Sequence, residues 1–256
     1  MQLPFGMRAS TLDERKRFYS RFDLRKARKW IGRDVVYAVI IGRHTGLAPP
    51  RFAADKNVPL IIDDYRSLRD VMGYVMQYLP EGVYYDRNHY HDFSLCHTRN
   101  LRDSWHWKNF AGQELAFDVD PENVVCPIHG TLKERMRRGM GLSFCAEAFS
   151  IARAKAAELC DLLSENYSDV RPVFSGRGFH MHVFDKDTVP LTQSERKSIA
   201  RRYSAFAIDE WVTEGSSRLI RLPYSLNGTA SRIATPLKKS EIAGFDPARK
   251  ALPRFV

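Results

Sequence analysis

Asp118 and Asp120 close the stretch "ELAFDVD", in which the residues alternate between two faces. A period of two marks a strand, with Leu115, Phe117 and Val119 on one face and Ala116, Asp118 and Asp120 on the other. Side chains two apart on a strand point the same way, so the two carboxylates project together with Cα atoms roughly 7 Å apart. Such a pair suits hard divalent cations, which take oxygen ligands and, about 3.5 to 4 Å apart, support in-line phosphoryl or nucleotidyl transfer. The same Asp-x-Asp spacing also serves sugar-nucleotide transferases and calcium loops, and Pro121 directly after it suits a strand-ending turn.

A second stretch, "SGRGFHMHVF" at 175–184, has the composition of an anion grip. Gly176 and Gly178 permit a tight turn and close backbone approach, so amide N–H groups, the Ser175 hydroxyl and the Arg177 guanidinium can converge on phosphate oxygens. Beyond the turn His180 and His182 share one strand face, while Phe179, Met181 and Val183 share the other and enter a core. Taken alone, a glycine turn leading into a strand with solvated histidines accounts for the same residues. A third stretch, "DEWVTEGSSRLIRLPYSLNG" at 209–228, adds the acid Asp209 and the cations Arg218 and Arg221, which can meet a triphosphate or a template backbone.

In order, "ELAFDVDP", "FSGRGFHMHV", "DEWVTEGSSRLIRLPYSLNG" and "FDPARKALP" resemble the catalytic small subunit of archaeal and eukaryotic DNA primases. The earlier "RKRFYSRF" and "EGVYYDRNHY" extend the resemblance from about residue 12 to the end of the sequence. It implies that Asp118, Asp120 and Asp209 bind catalytic Mg2+ or Mn2+, and that Ser175, Arg177 and His180 hold the phosphates of an incoming nucleotide. Arg221, the basic residue before "P-x-S", is implied as a further phosphate contact, and Asn227 stands where the family commonly has His, which alters one contact to phosphate or sugar. The implied activity is template-dependent synthesis of short primers by two-metal nucleotidyl transfer, with single-stranded DNA as template, nucleoside triphosphates as substrates and a primase large subunit as partner. A gap-filling polymerase that extends but does not initiate carries the same motifs. A non-catalytic nucleic-acid-binding subunit has no use for the intact acids.

The family also carries a zinc knuckle between the Asp pair and the grip. Cys126, His129 and Cys145 supply three candidate Zn2+ ligands within an expected small insertion at 121–145. A closed structural zinc site needs four, so the last must come from Cys96, His97, Cys160 or an Asp, or the site is absent. Burial in a helix core is the plainer account of Cys145 and Cys160.

Several elements must position these groups. Thr11-x-x-Glu14 and Thr192-x-x-Glu195 are capping boxes that open helices, and further helices fit 67–79, stopped by Pro80, and 143–165. Strand composition marks 34–41 and the "GVYY" stretch, and short strands fit "SRLIRLPYSL" and "RIATPL". Residues 87–110 have no period and read as a long loop or insertion; their aromatic and basic side chains suit plugging the core edge better than tracking a strand. Helices and strands mix without a regular βαβ period, which predicts an α+β fold: a mixed, largely antiparallel sheet flanked by helices. The resemblance makes this a primase-polymerase catalytic core, and the short segment 186–208 lacks the large helical insertion of many relatives. One catalytic domain over 1–256 suits the length.

Composition sets the outer limits. There are 40 Lys and Arg against 30 Asp and Glu, and the net charge of +10 favours polyanionic partners such as nucleic acid. The apolar run "VVYAVII" at 35–41 is far short of the ~20 residues of a membrane helix, and the first residues lack the apolar core of a signal peptide. An intracellular protein with no membrane partner is expected, and four cysteines in a chain of this size do not suggest a disulfide framework.

Overall fold

Helix starts in this chain are written by reciprocal caps. Thr11, Ser67, Thr131 and Thr192 each accept a hydrogen bond from the backbone three residues on, where Glu14, Asp70, Glu134 and Glu195 return it. In the computed structural model, which describes residues 2–97 and 108–255, these caps open α1 (Leu12–Tyr19), α3 (Leu68–Tyr78), α4 (Leu132–Arg137) and α6 (Gln193–Arg202). Asp23 caps α2 (Leu24–Ile31), and the alanine-rich α5 (Ala146–Asn166) starts from Cys145, whose Sγ accepts the Ala148 N–H.

The strands form two four-stranded sheets where the sequence suggested one. The first has the order β2 (Leu60–Ile62), β1 (Tyr37–Ile40), β3 (Gly82–Asp86), β9 (Leu219–Arg221). The second has the order β12 (Thr235–Pro236), β7 (Val170–Phe174), β8 (Phe179–Val183), β6 (Leu115–Val119). Every pairing within the two is antiparallel among the described residues, and the fold is α+β as expected. The division follows from burial. Phe117, Val119, Phe174, Phe179 and Met181 pack against Phe149, Ala152 and Ala156 of α5, whereas Tyr37, Val39, Val83 and Tyr85 pack against Ala27, Val71 and Val75 of α2 and α3. Each sheet thus buries an apolar face on its own helices.

The opposite face of β6 and β8 meets the first sheet. Ala116 joins the core of that sheet, and His182 bonds Glu114 at 2.8 Å and the Tyr85 hydroxyl at 3.0 Å, with the Trp30 ring 5.0 Å away. His182 is therefore a buried pin between the sheets, while its neighbour on the same face, His180, reaches the cleft.

The stretch 87–110 departs from the expected loop. It contains β4 (Asn88–Tyr90) and β5 (Phe110–Gln113), paired antiparallel with a register shift between His89 and Tyr90. Residues 98–107, with Trp105 and Trp107 among them, lie outside the described residues, and so does that part of the candidate strand-tracking surface. Between β8 and Asp209 the chain spends its length on short 3-10 turns and the ten-residue α6, so no large helical insertion is present there. No described helix is long and apolar enough to cross a membrane.

Candidate active site

At one end of the seam between the sheets lies a cleft of about 210 Å³. Asp118 at the end of β6 and Asp120 just past it line the cleft, as their shared strand face requires. Asp209 arrives from far along the chain. Its backbone N–H donates to the Asp118 carbonyl at 2.8 Å, beside an antiparallel bridge between Val119 and Ile208. Its side chain caps the short helix α7 (Glu210–Thr213), with Oδ1 accepting the Trp211 N–H at 3.0 Å.

The glycine turn between β7 and β8 forms the adjoining wall. Ser175 N–H donates to the Gly178 carbonyl at 2.9 Å, and Gly178 N–H returns to Ser175 Oγ at 3.0 Å. Gly176 has φ +96°, and a Cβ there would lie 2.4 Å from the Asn227 Cβ; one on Gly178 would meet Asp120 Oδ1 at 2.2 Å. Only glycine lets the turn sit this close to the acids. Asn227, on β10 (Leu226–Asn227) and paired with β11 (Arg232–Ile233), braces the turn by donating to the Ser175 carbonyl at 3.1 Å while its Oδ1 accepts from Thr229. Arg221 docks on Tyr84, donating to its hydroxyl at 2.8 Å.

The electrostatics are those of a site short of positive charge. Burial, then the charges of Asp120, Asp209 and Glu122, push the Asp118 carboxyl well above the ordinary carboxylate range. Asp120 is raised by burial and by Asp209, against the pull of Arg177 and Arg221. Burial, then the nearby charges of His182, Arg221 and Arg87, holds His180 well below its usual value, so at neutral pH it is an uncharged imidazole with Nε2 3.6 Å from Asp118 Oδ1. Asp118 Oδ1, His180 Nδ1 and one Arg221 terminal nitrogen are buried with no hydrogen-bond partner. Unpartnered oxygens of crowded carboxylates fit divalent cations, which supply the missing ligand and the missing charge together.

Every residue that the primase resemblance pointed to at this site lines the cleft: Asp118, Asp120, Asp209, Ser175, Arg177, His180, Arg221 and Asn227. Arg218 does not. It pairs with Asp86 at 3.0 Å.

Other groups at or beside the cleft escaped sequence reasoning. Glu122 grips Arg177 through a 2.7 Å ion pair, and its own carboxyl is pushed up to about 7, chiefly by burial and then by Asp120. Two positions beyond Asp120 and just after Pro121, it continues the acidic run, a signal that was available. His44 also lines the cleft, its Nδ1 2.6 Å from the buried Glu81. Burial opposes the Glu81 charge, but hydrogen bonds from His44 and Thr45 outweigh it and hold the carboxyl below its usual value. His44 sits in a loop of Gly and Pro with no pattern to mark it.

The cysteine group is separate. Cys126 Sγ lies 3.6 Å from His129 Nδ1 and 3.6 Å from Cys145 Sγ, and the ligand atoms of the three all fall within 4.8 Å of one another. Mutual backbone hydrogen bonds between Cys126 and Gly130 fold the turn that presents His129. Cys96 and Cys160 are buried elsewhere and do not join, so among the described residues the group has three members. Thiolate and imidazole are the donors zinc prefers, and three of them leave one position to fill.

Comparison with known proteins assigns the family. The family model described as DNA primase small subunit matches residues 117–207, the span from the Asp pair through the glycine turn to the residues before Asp209. A protein from Archaeoglobus fulgidus named "Uncharacterized DNA primase small subunit-like protein" is 50% identical over 262 residues, covering 100% of this chain and 94% of its own length. The chain belongs to this DNA primase small subunit-like family. The DNA primase small subunit PriS of Pyrobaculum calidifontis is 25% identical over 224 residues, and that of Pyrococcus furiosus is 26% identical over 206 residues. The matches cover 66% and 51% of those two proteins, so the chain spans between half and two thirds of their lengths. Among solved structures, the polymerase domain of Mycobacterium tuberculosis Ligase D in complex with DNA superposes with a TM-score of 0.47 at 18% identity, covering 76% of this chain and 63% of that one.

Proposed function

We propose that this protein is a template-directed nucleotidyltransferase of the primase type, acting on nucleoside triphosphates along a single DNA strand. The observation that carries the reading is the convergence of Asp118, Asp120 and Asp209 with Ser175, Arg177 and Arg221 on one cleft. Asp118, Asp120 and Asp209 would hold Mg2+ or Mn2+. When bound, these ions neutralise the carboxylates, activate a 3'-hydroxyl toward the α-phosphate and stabilise the departing pyrophosphate.

The remaining work falls to the chain. The Ser175 hydroxyl, the His180 imidazole and the guanidinium groups of Arg177 and Arg221 are donors for triphosphate oxygens, and Glu122 and Tyr84 hold the two guanidinium groups in place. His180 donates as a neutral imidazole, which spares the site a further buried charge. Asn227 acts on the turn by fixing the Ser175 carbonyl. Stabilisation of developing charge, with no covalent intermediate, is the main contribution of such a site.

The test supplies an unprimed single strand and, separately, a primed one, each with labelled ribo- or deoxynucleotides. Products from the unprimed strand are expected. Extension confined to the added primer would assign the chain to the extending polymerases, and no incorporation on either strand would overturn the reading.

A further inference from the structure

Behind the catalytic cleft runs a second groove, of about 440 Å³, built by α1, α2, the turn after β9 and the last described residues. Its charged wall holds Arg17, Arg21, Lys26 and Arg254, all exposed. None of the four forms a salt bridge among the described residues, whereas the one acid in the groove, Asp23, is already engaged by Arg25 at 2.9 Å. Its floor is aromatic: Phe18, Phe22, Tyr224 and Phe255 each place one side on the core of the first sheet and remain half exposed to the groove. Phe18, near the end of α1, and Phe22, just past it, are stacked with ring centroids 5.8 Å apart.

The groove and the cleft share a wall. Arg221 faces the cleft and Tyr224 the groove, and three residues of chain span at most about 10 Å. In the hairpin that follows, Asn227 lines the cleft and Ile233 the groove. Tyr224 sits at φ +66°, a conformation unusual for a bulky residue, held by its N–H donating to the Ala234 carbonyl at 2.6 Å.

From this we propose that the groove binds single-stranded nucleic acid, the phosphates on the four cations and the bases on the aromatic floor. Unpaired cations around stackable rings are what a strand of any sequence requires, because every base has a π-face and every residue a phosphate. An acidic protein segment would use the cations but leave the rings without a matching partner. The proposal takes the template-directed activity above as its setting, and its test reads binding alone.

The test measures fluorescence anisotropy of labelled oligo(dT) with the full chain in EDTA, without nucleotides, over a range of salt concentrations. The double variant Arg21→Glu/Lys26→Glu removes two groove cations that have no structural partner. Lys16→Glu/Lys29→Glu makes the same charge change on α1 and α2, at exposed positions outside the groove. The groove double is expected to weaken binding about tenfold or more and to flatten the salt dependence by about 1.4 in log–log slope, at ~0.7 per phosphate contact. The control double is expected to stay within about threefold of wild type. Arg254→Glu, in the last described residues that line the groove, is expected to weaken binding in the same direction. Unchanged binding in the groove variants, or equal losses in both doubles, overturns the proposal. Asp118→Asn separates this proposal from the proposed activity: it should lose synthesis and keep its oligo(dT) affinity, and loss of that affinity counts against the groove as the binding site.

Discussion

The backbone N–H of Asp209 donates to the carbonyl of Asp118 at 2.8 Å, and this bond brings the third acid to the other two. The position of both residues is set by main chain, with β6 held on β8 and Asp209 held on β6. Their carboxylates are therefore replaceable without collapse of the frame, which makes side-chain substitution a clean probe of what the charges do.

The first consequence concerns pH. Glu122 has a folded-state value of about 7 against an ordinary 4.5, and Asp118 and Asp120 are shifted the same way by burial and mutual repulsion. A raised value gives a contribution to stability that is present below the unfolded value and lost as pH rises through the folded one. Metal-free protein should therefore lose part of its Tm between pH 4.5 and pH above about 7. Glu122→Gln should flatten that decline, and Asp118→Asn should melt higher than wild type at pH 8 in EDTA. Calorimetry of the three proteins checks this, and saturating Mn2+ should raise wild type most.

Arg177 and Glu122 should behave as a coupled pair. Arg177→Ala strands a buried carboxylate and is expected to cost about 2 kcal/mol or more. The double variant with Glu122→Gln should recover much of that stability. Nucleotide KM should rise in both, because the phosphate donor is gone in both. A denaturant series and initial-rate measurements separate the two effects.

His180 and His182 share a strand face but should fail differently. His182→Ala removes the partner of buried Glu114 and Tyr85, so the loss should be in stability, about 2 kcal/mol. His180→Ala should leave Tm close to wild type while lowering kcat/KM for nucleotide about tenfold or more. Equal stability losses in the two variants would contradict this division.

Zinc is expected at Cys126, His129 and Cys145. Purified protein should carry close to one equivalent by elemental analysis, and Cys126→Ser should lower both zinc content and Tm. Zinc content unaffected by Cys126→Ser would place any bound metal elsewhere.

Much of the cleft was legible in the sequence because its parts obey short-range rules. The period of two in "ELAFDVD" and "FHMHV" assigns each side chain to a face, and those faces are found: Leu115, Phe117, Phe179 and Met181 in the core, Asp118 and His180 in the cleft. Capping boxes at Thr11 and Thr192 likewise mark where helices begin. Long-range packing was not legible. Nothing local announces that the strands divide into two sheets, that Asp209 docks on the Asp118 backbone, or that Glu81 holds His44 at the cleft. His182 shows the limit most plainly: the alternation places it beside His180, and only the arrival of Tyr85 and Glu114 makes it structural.

In the proposed function three carboxylates and a glycine-turn grip perform nucleotidyl transfer in one cleft. Incorporation of labelled nucleotide on a primed template with Mn2+, compared between wild type and Asp118→Asn, tests it most directly. Wild type should extend the primer, and Asp118→Asn should be slower by about 100-fold or more with its fold intact. Incorporation by Asp118→Asn at a rate near that of wild type would overturn the assignment of these carboxylates to the reaction.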